Sequence, residues 1–185
     1  MTDPADAHLI ETLLRSETLC EGDFLQARRD TVRMPDGGVS TREYIVHPGA
    51  VVVIPLLDDR HVLVERQFRY PLRRVFLELP AGKIDPGDRD AIDAALREAE
   101  EEIGLHRRDV TVAGTTTPYR SGSGYHITPV LAVIPPDLPL DPNPDEVEAW
   151  FEVPLDILFD PQNYERQEAH WQGQLRRYYD MNWQG

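Results

Sequence analysis

An α+β fold is predicted for this 185-residue chain by three observations. Short runs rich in β-branched residues recur along it and read as strands: Phe24–Arg33, Val39–Val46, Gly49–Leu57, His61–Arg69, Val110–Thr117 and Ile127–Ile134. One segment of about four turns carries helical periodicity instead, with the Ile92, Ala95, Ala99 spacing continued by Ile103 and with Gly104 as a natural stop.

 The periodic set is Ile92, Ala95, Ala99 and Ile103. Third, Met34-Pro35-Asp36-Gly37-Gly38 is a turn signal that joins two of the strands as a hairpin.

Taken in order, Ala5–Leu14 reads as a short helix and is followed by the hairpin, which carries Arg28, Arg29, Arg33 and Arg42. Most of these arginines belong to solvated strand faces. Gly49–Leu57 is continuously apolar and is expected to be buried on both faces. Asp58-Asp59 turns the chain into His61–Arg69, where Val62, Val64 and Arg66 alternate with Leu63, Glu65 and Gln67, a mixed pattern that suits a strand reaching a site. His61 has no second histidine or cysteine at metal spacing and reads as a surface residue. After the helix, Tyr119–Gly124 is a glycine-serine loop, either a plain turn or a gate, and Pro135–Pro144 is a proline-rich connection. Glu146 opens the next strand, and the aromatic, basic tail Tyr164–Trp183 is expected to pack on the sheet. The division expected is 1–48, a helix and hairpin, and 49–185, the main domain.

Composition excludes several classes. A net charge of −14 argues against nucleic acid and anionic membrane as partners, since both call for a basic face. No apolar run approaches the roughly 20 residues of a membrane span, and Met1–Ala7 is acidic and polar rather than a signal peptide. One cysteine, Cys20, forms no internal bridge, so a reducing, cytoplasmic setting is expected.

The odd feature is the acid at the end of the helix. Glu98, Glu100, Glu101 and Glu102 crowd the end where the macrodipole is negative, each unfavourable by roughly 0.3–1 kcal/mol before mutual repulsion. At 100° per residue, Glu98, Glu101 and Glu102 share one face and Glu100 points away. Three carboxylates on one face suit a hard, oxygen-seeking cation such as Mg²⁺ or Mn²⁺; the alternative is a solvated acidic face.

Gly82, Asp88, Arg97-Glu98, Glu101-Glu102 and Gly104-Leu105 resemble the signature box of the Nudix hydrolases. Asp88 stands where the box usually has Glu, and the run from it to Arg97 is one residue longer than usual. The resemblance implies a Nudix fold, a mixed sheet flanked by helices in an α/β/α sandwich, with an N-terminal antiparallel sheet. It also implies metal ligation by Glu98, Glu101, Glu102 and the Ala81 carbonyl, with Arg97 orienting the glutamates. Residues 20–82, including Gln67-Phe68-Arg69-Tyr70-Pro71 and Leu79-Pro80-Ala81-Gly82, are similar to ADP-ribose pyrophosphatases. That group implies substrate contact by Arg69, a base from the loop region of Glu146, and a homodimer built on the N-terminal sheet. Arg42 is the second substrate-contact candidate. Residues 82–160 and the longer box are instead similar to coenzyme A pyrophosphatases. The expected activity is metal-assisted hydrolysis of ADP-ribose or a related nucleoside-diphosphate sugar, with coenzyme A as the alternative substrate and a silent nucleotide sensor as the alternative class.

Overall fold

The Met34–Gly38 turn closes as its sequence predicts, with the Gly37 N–H donating to the Met34 carbonyl (2.9 Å) and the Met34 N–H to that of Gly38 (2.8 Å). It joins the second and third strands of an antiparallel sheet made of β1 (Thr12–Glu21), β2 (Gln26–Arg33) and β3 (Val39–Val46) in sequential order. Cross-strand charge supports the register: Arg29 reaches Glu43 on one side (2.6 Å) and Glu17 on the other (3.3 Å). The computed structural model describes residues 4–22, 25–58, 60–121, 125–171 and 173–181. It divides into two units, Met1–Pro48 and Gly49–Gly185.

The expected Ala5–Leu14 helix is corrected. Only Pro4–Leu9 coils, as a 3₁₀ helix, and from Thr12 the chain is strand β1. Pairing with β2 overrides the weak helical spacing, since an isolated helix this short is marginal while β1 gains ladder bonds and the Glu17–Arg29 pair. Phe24, expected at the start of a strand, lies outside the described residues.

In the second unit, β4 (Ala50–Leu56), β5 (His61–Arg69), β6 (Arg74–Glu78) and β7 (Ala81–Lys83) precede helix α1 (Ala91–Ile103). After it come β8 (Thr111–Thr115), β9 (Tyr119–Arg120), β10 (His126–Val133), β11 (Val147–Pro154) and the one-turn α2 (Leu155–Phe159). The central order is β11-β5-β4-β10-β8, with β6 on β5, β7 on β4 and β9 on β10. β10 runs parallel to β4 while the other pairs are antiparallel, so the sheet is mixed. Among the described residues no helix is long and apolar enough to cross a membrane.

The core forms by alternation. Val51, Val53 and Leu63 face α1 and pack with Ala94, Ala95, Ala99 and Ile103, the alanines letting the helix lie close to the sheet. Val62, Val64 and Val153 face the opposite side, where Ile54, Leu56, Leu155 and Leu158 cover them. β4 is therefore fully buried on the α1 face and half-buried on the other, because the cover there is only a single turn of helix.

α1 begins at Asp90, whose side chain caps the Asp93 N–H (2.9 Å), and ends at Gly104 in the left-handed region at φ 69°. A Cβ at Gly104 would lie 2.8 Å from the Asp141 carbonyl oxygen and 2.9 Å from its nitrogen, both backbone atoms. Gly104→Ala is expected to destabilise the protein by about 2 kcal/mol and to lower its melting temperature by roughly 4–8 °C in a thermal melt.

The tail does not pack on the sheet as expected. β12 (Tyr164–Trp171) and β13 (Gln174–Met181) make their own two-stranded hairpin, with Leu175, Tyr178 and Tyr179 exposed. Polar and charged residues, such as the Glu168–Arg177 pair (3.0 Å), occupy much of both strands and leave no continuous apolar face to bury. Trp183 and residues 122–124 of the expected loop lie outside the described residues.

Candidate active site

α1 hands its acids to different neighbours. Glu102 is 4% exposed, and its Oε2 accepts a hydrogen bond from the Ala81 N–H of β7 at 3.0 Å. Glu98 lies against the same strand at Gly82, where a Cβ would fall 2.0 Å from its Cδ. Glu101 turns to the rim, 57% exposed, and accepts from Arg97 Nη1 at 2.7 Å. Glu100 points away, as the helical geometry requires, and meets His106 Nδ1 at 2.8 Å.

Arg97 is the hub. Its guanidinium donates to both oxygens of Asp88 (3.0 and 3.1 Å), to Glu98 Oε1 (3.0 Å), to Glu101 and to the Lys83 carbonyl (2.9 Å). Asp88 also accepts from the Asp85 N–H at 2.7 Å, so it ties the loop before α1 to the helix. The Arg97 hydrogen bond holds the Asp88 carboxyl below its usual range, although burial opposes this. Asp88 thus orients Arg97, and Arg97 orients the box glutamates. An open hollow of about 750 Å³ beside this network is lined by Asp88, Arg97 and Glu101 but by neither Glu98 nor Glu102.

Burial dominates the electrostatics of the inner acids. It pushes Glu102 up to about 8, and the charges of Glu65, Glu98 and Glu146 add to the rise while the Ala81 hydrogen bond opposes it. Glu98 is also raised by burial, against the pull of Arg97. Among the described residues no three acidic, histidine or cysteine side chains stand close enough to cage an ion as they lie. The donor set nevertheless fits a hard cation. The inner donors are oxygen atoms, the buried Glu65 carboxylate of β5 has no hydrogen-bond partner on either oxygen, and Gly82 leaves the gap that Glu98 fills. Gly82→Ala is expected to push aside only the flexible end of Glu98. Stability should then change by less than about 1 kcal/mol while turnover falls by roughly 10–10²-fold, a split that melting and rate measurements would resolve.

Arg69, at the end of β5, is held by Glu78 of β6 through three contacts of 2.6, 3.0 and 3.2 Å. The charges of Glu102 and Glu65 also act on it. Glu146 is exposed just ahead of β11, and its charge acts on both Glu65 and Glu102. Arg42 is different: it lies on β3 of the first unit, where its guanidinium is held by Glu11, Ser40 and the Thr41 carbonyl. Glu78 and Glu65 are absent from the sequence-based site. Their only signal was a carboxylate in the inward register of Leu63 and, across the ladder, its partner on β6.

A NUDIX domain profile matches residues 46–174, and one described as a nucleoside diphosphate sugar hydrolase N-terminal domain matches residues 11–45. "Uncharacterized Nudix hydrolase NudL" of Escherichia coli K12 is 41% identical over 117 residues, which are 62% of this chain and 61% of that protein. The chain thus matches about three-fifths of the length of that relative. The protein of the same name from Yersinia pestis (strain Pestoides F) is 31% identical over 166 residues, 87% of this chain and 83% of its own length. Among solved structures, one titled "Crystal structure of ADP compounds hydrolase" superposes with a TM-score of 0.57 at 23% identity, covering 84% of this chain and 86% of the other, a likeness of fold. With the domain profile spanning well over half of the chain and a relative above 30% identity aligned along most of it, this protein belongs to the Nudix hydrolase family.

Proposed function

We propose that the protein hydrolyses the pyrophosphate linkage of ADP-ribose or a related nucleoside-diphosphate sugar, with Mg²⁺ or Mn²⁺ as cofactor. The observation that carries this reading is the convergence of Glu98 and Glu102 on the Ala81–Gly82 strand, near an arginine already pre-aligned by Glu78. Glu98, Glu102 and the Ala81 carbonyl would hold the cation, with Glu101 at the rim as a further carboxylate. When bound, it would lower the pKa of a water molecule and neutralise charge gathering on the phosphates.

The remaining work falls to the chain's own groups. Arg97 fixes Glu98 in place through a bond to its Oε1, and Asp88 fixes Arg97. Arg69 offers a planar fork that never loses its charge and that matches two phosphate oxygens at once. Glu146 is exposed, its charge acts on both Glu65 and Glu102, and it takes the proton of the attacking water. The N-terminal profile match at residues 11–45 and the Leu79-Pro80-Ala81-Gly82 run favour a nucleoside-diphosphate sugar over coenzyme A. Leu13, Tyr44, Ile45 and Val46 are exposed in the first unit and support a homodimer built on that sheet. The lone Cys20 supports a cytoplasmic setting.

Incubation with Mg²⁺ and ADP-ribose, GDP-mannose, coenzyme A or diadenosine polyphosphates tests the reading. AMP and ribose 5-phosphate from ADP-ribose are expected. Release of 3′,5′-ADP from coenzyme A alone would move the assignment to that substrate, and tight binding without turnover of any of them would make the domain a sensor.

A further inference from the structure

Among the described residues three polar or charged side chains are buried: Glu65 (0% exposed), Gln67 (8%) and Glu102 (4%). Glu102 belongs to the box. The other two lie on β5, and their register places them. Leu63 packs in the cluster beneath α1 while Val62 and Val64 pack on the opposite face, so Glu65 and Gln67 continue the α1 face of the strand.

Neither oxygen of Glu65 has a hydrogen-bond partner, nor does the Gln67 amide oxygen. The backbone of β5 is paired on both sides there, with Glu65 opposite Trp150 of β11 and Glu78 of β6. Only the side chain is left over. The groups whose charges act on Glu65 are Arg69, Glu78 and Glu146, and its own charge acts on Glu102. Arg69 is the one base among them, and Glu78 already holds it by three hydrogen bonds. A buried carboxylate among other acids, with both oxygens open, has only the charge of Arg69, itself engaged by Glu78, to offset its burial. Glu78, Glu102 and Glu146 are acceptors and Arg69 is already engaged by Glu78, so these surroundings call for a cation.

We propose that Glu65 is a further cation-binding carboxylate of the site, taking a divalent ion together with Glu102 from the side of β5. The inference rests on the metal-dependent reading above and extends the ligand set from the helix to the sheet. A ligand on a central strand is held more rigidly than one on a loop, so Glu65 sets where the ion sits while the box glutamates follow the helix.

Mn²⁺ binding tests this on the full chain stripped by chelator, without substrate, at neutral pH, by electron paramagnetic resonance of the free ion and by thermal melting. Wild type is compared with Glu65→Gln, Glu65→Leu and Glu102→Gln; the leucine variant guards against a fold defect peculiar to the amide. Both Glu65 variants are expected to weaken Mn²⁺ at one site by about 10–100-fold and to shrink the rise in melting temperature that Mn²⁺ produces. Without the ion they should melt at or above the wild-type temperature. Wild-type stoichiometry and affinity in a folded Glu65 variant would overturn the proposal and leave the functional reading intact, provided that Glu102→Gln loses the ion. A wild-type chain that binds no Mn²⁺ would overturn both.

Discussion

Glu102→Gln is expected to lower kcat by at least about 10²-fold while raising the melting temperature of protein stripped of divalent ions. The first effect follows from removing a charged oxygen from the proposed catalytic site, where a single electrostatic group is worth about that much. The second follows from burial. Glu102 is almost fully enclosed, next to Glu65 and Glu98, and its compensation from the protein is the Ala81 N–H. An amide keeps the shape and a hydrogen-bond acceptor but sheds the charge, so about 1–2 kcal/mol of stability is expected, roughly 2–8 °C in the melt. Opposite signs in the two assays mark a residue kept for function at the expense of the fold. A fall in both would make it an ordinary structural carboxylate.

Stability of the stripped protein should fall as pH rises from about 5 to 8, the reverse of acid denaturation. Glu65 is pushed up to about 7 by burial, with the charges of Glu78 and Glu146 adding to the rise and that of Arg69 opposing it. Glu102 is pushed to about 8 for related reasons, with Glu65, Glu98 and Glu146 facing it and Arg69 nearby. Once pH passes about 4.5 the unfolded chain has released these protons while the folded chain keeps them, so each further rise favours unfolding. At about 1.4 kcal/mol per pKa unit the two shifts together set an upper bound on the loss of about 8 kcal/mol, complete above about pH 9 and absent below about pH 4.5. Asp88 and Asp93, held low by Arg97 and by Arg89 with Arg107, act in the window beneath. Their contribution is present above about pH 4 and is lost on acidification, so a stability maximum is expected near pH 5. Saturating Mg²⁺ should flatten the alkaline limb, since ligation requires these carboxylates deprotonated. Melts across pH, with and without the ion, check both limbs; a curve that rises steadily to pH 8 without metal would contradict the burial account.

Much of the site was legible because helices obey a simple geometry. Glu98, Glu102 and the outward Glu100 stand where 100° per residue puts them, and Gly104 ends α1 as its position implies. Glu101 shares their side by angle, yet a long side chain at the edge of a face can choose its partner, and Arg97 one turn earlier draws it to the rim. The role of Asp88 was illegible for a similar reason: its bond to Arg97 spans a loop of no regular period. Glu65 was read only as part of a mixed pattern, because which face a strand residue takes depends on the helix that covers it. The strand β1 escaped notice where weak local propensity gave way to pairing with β2, and the tail hairpin where aromatic content outweighed the charges between its rings.

On the proposed reading the buried acids of α1 and β5 are retained for a divalent ion. An anomalous difference map from crystals soaked in Mn²⁺ tests it most directly. A peak within ligating reach of Glu98 and Glu102 beside the Ala81–Gly82 strand is expected. A map with no peak there, from crystals of active protein, would contradict it.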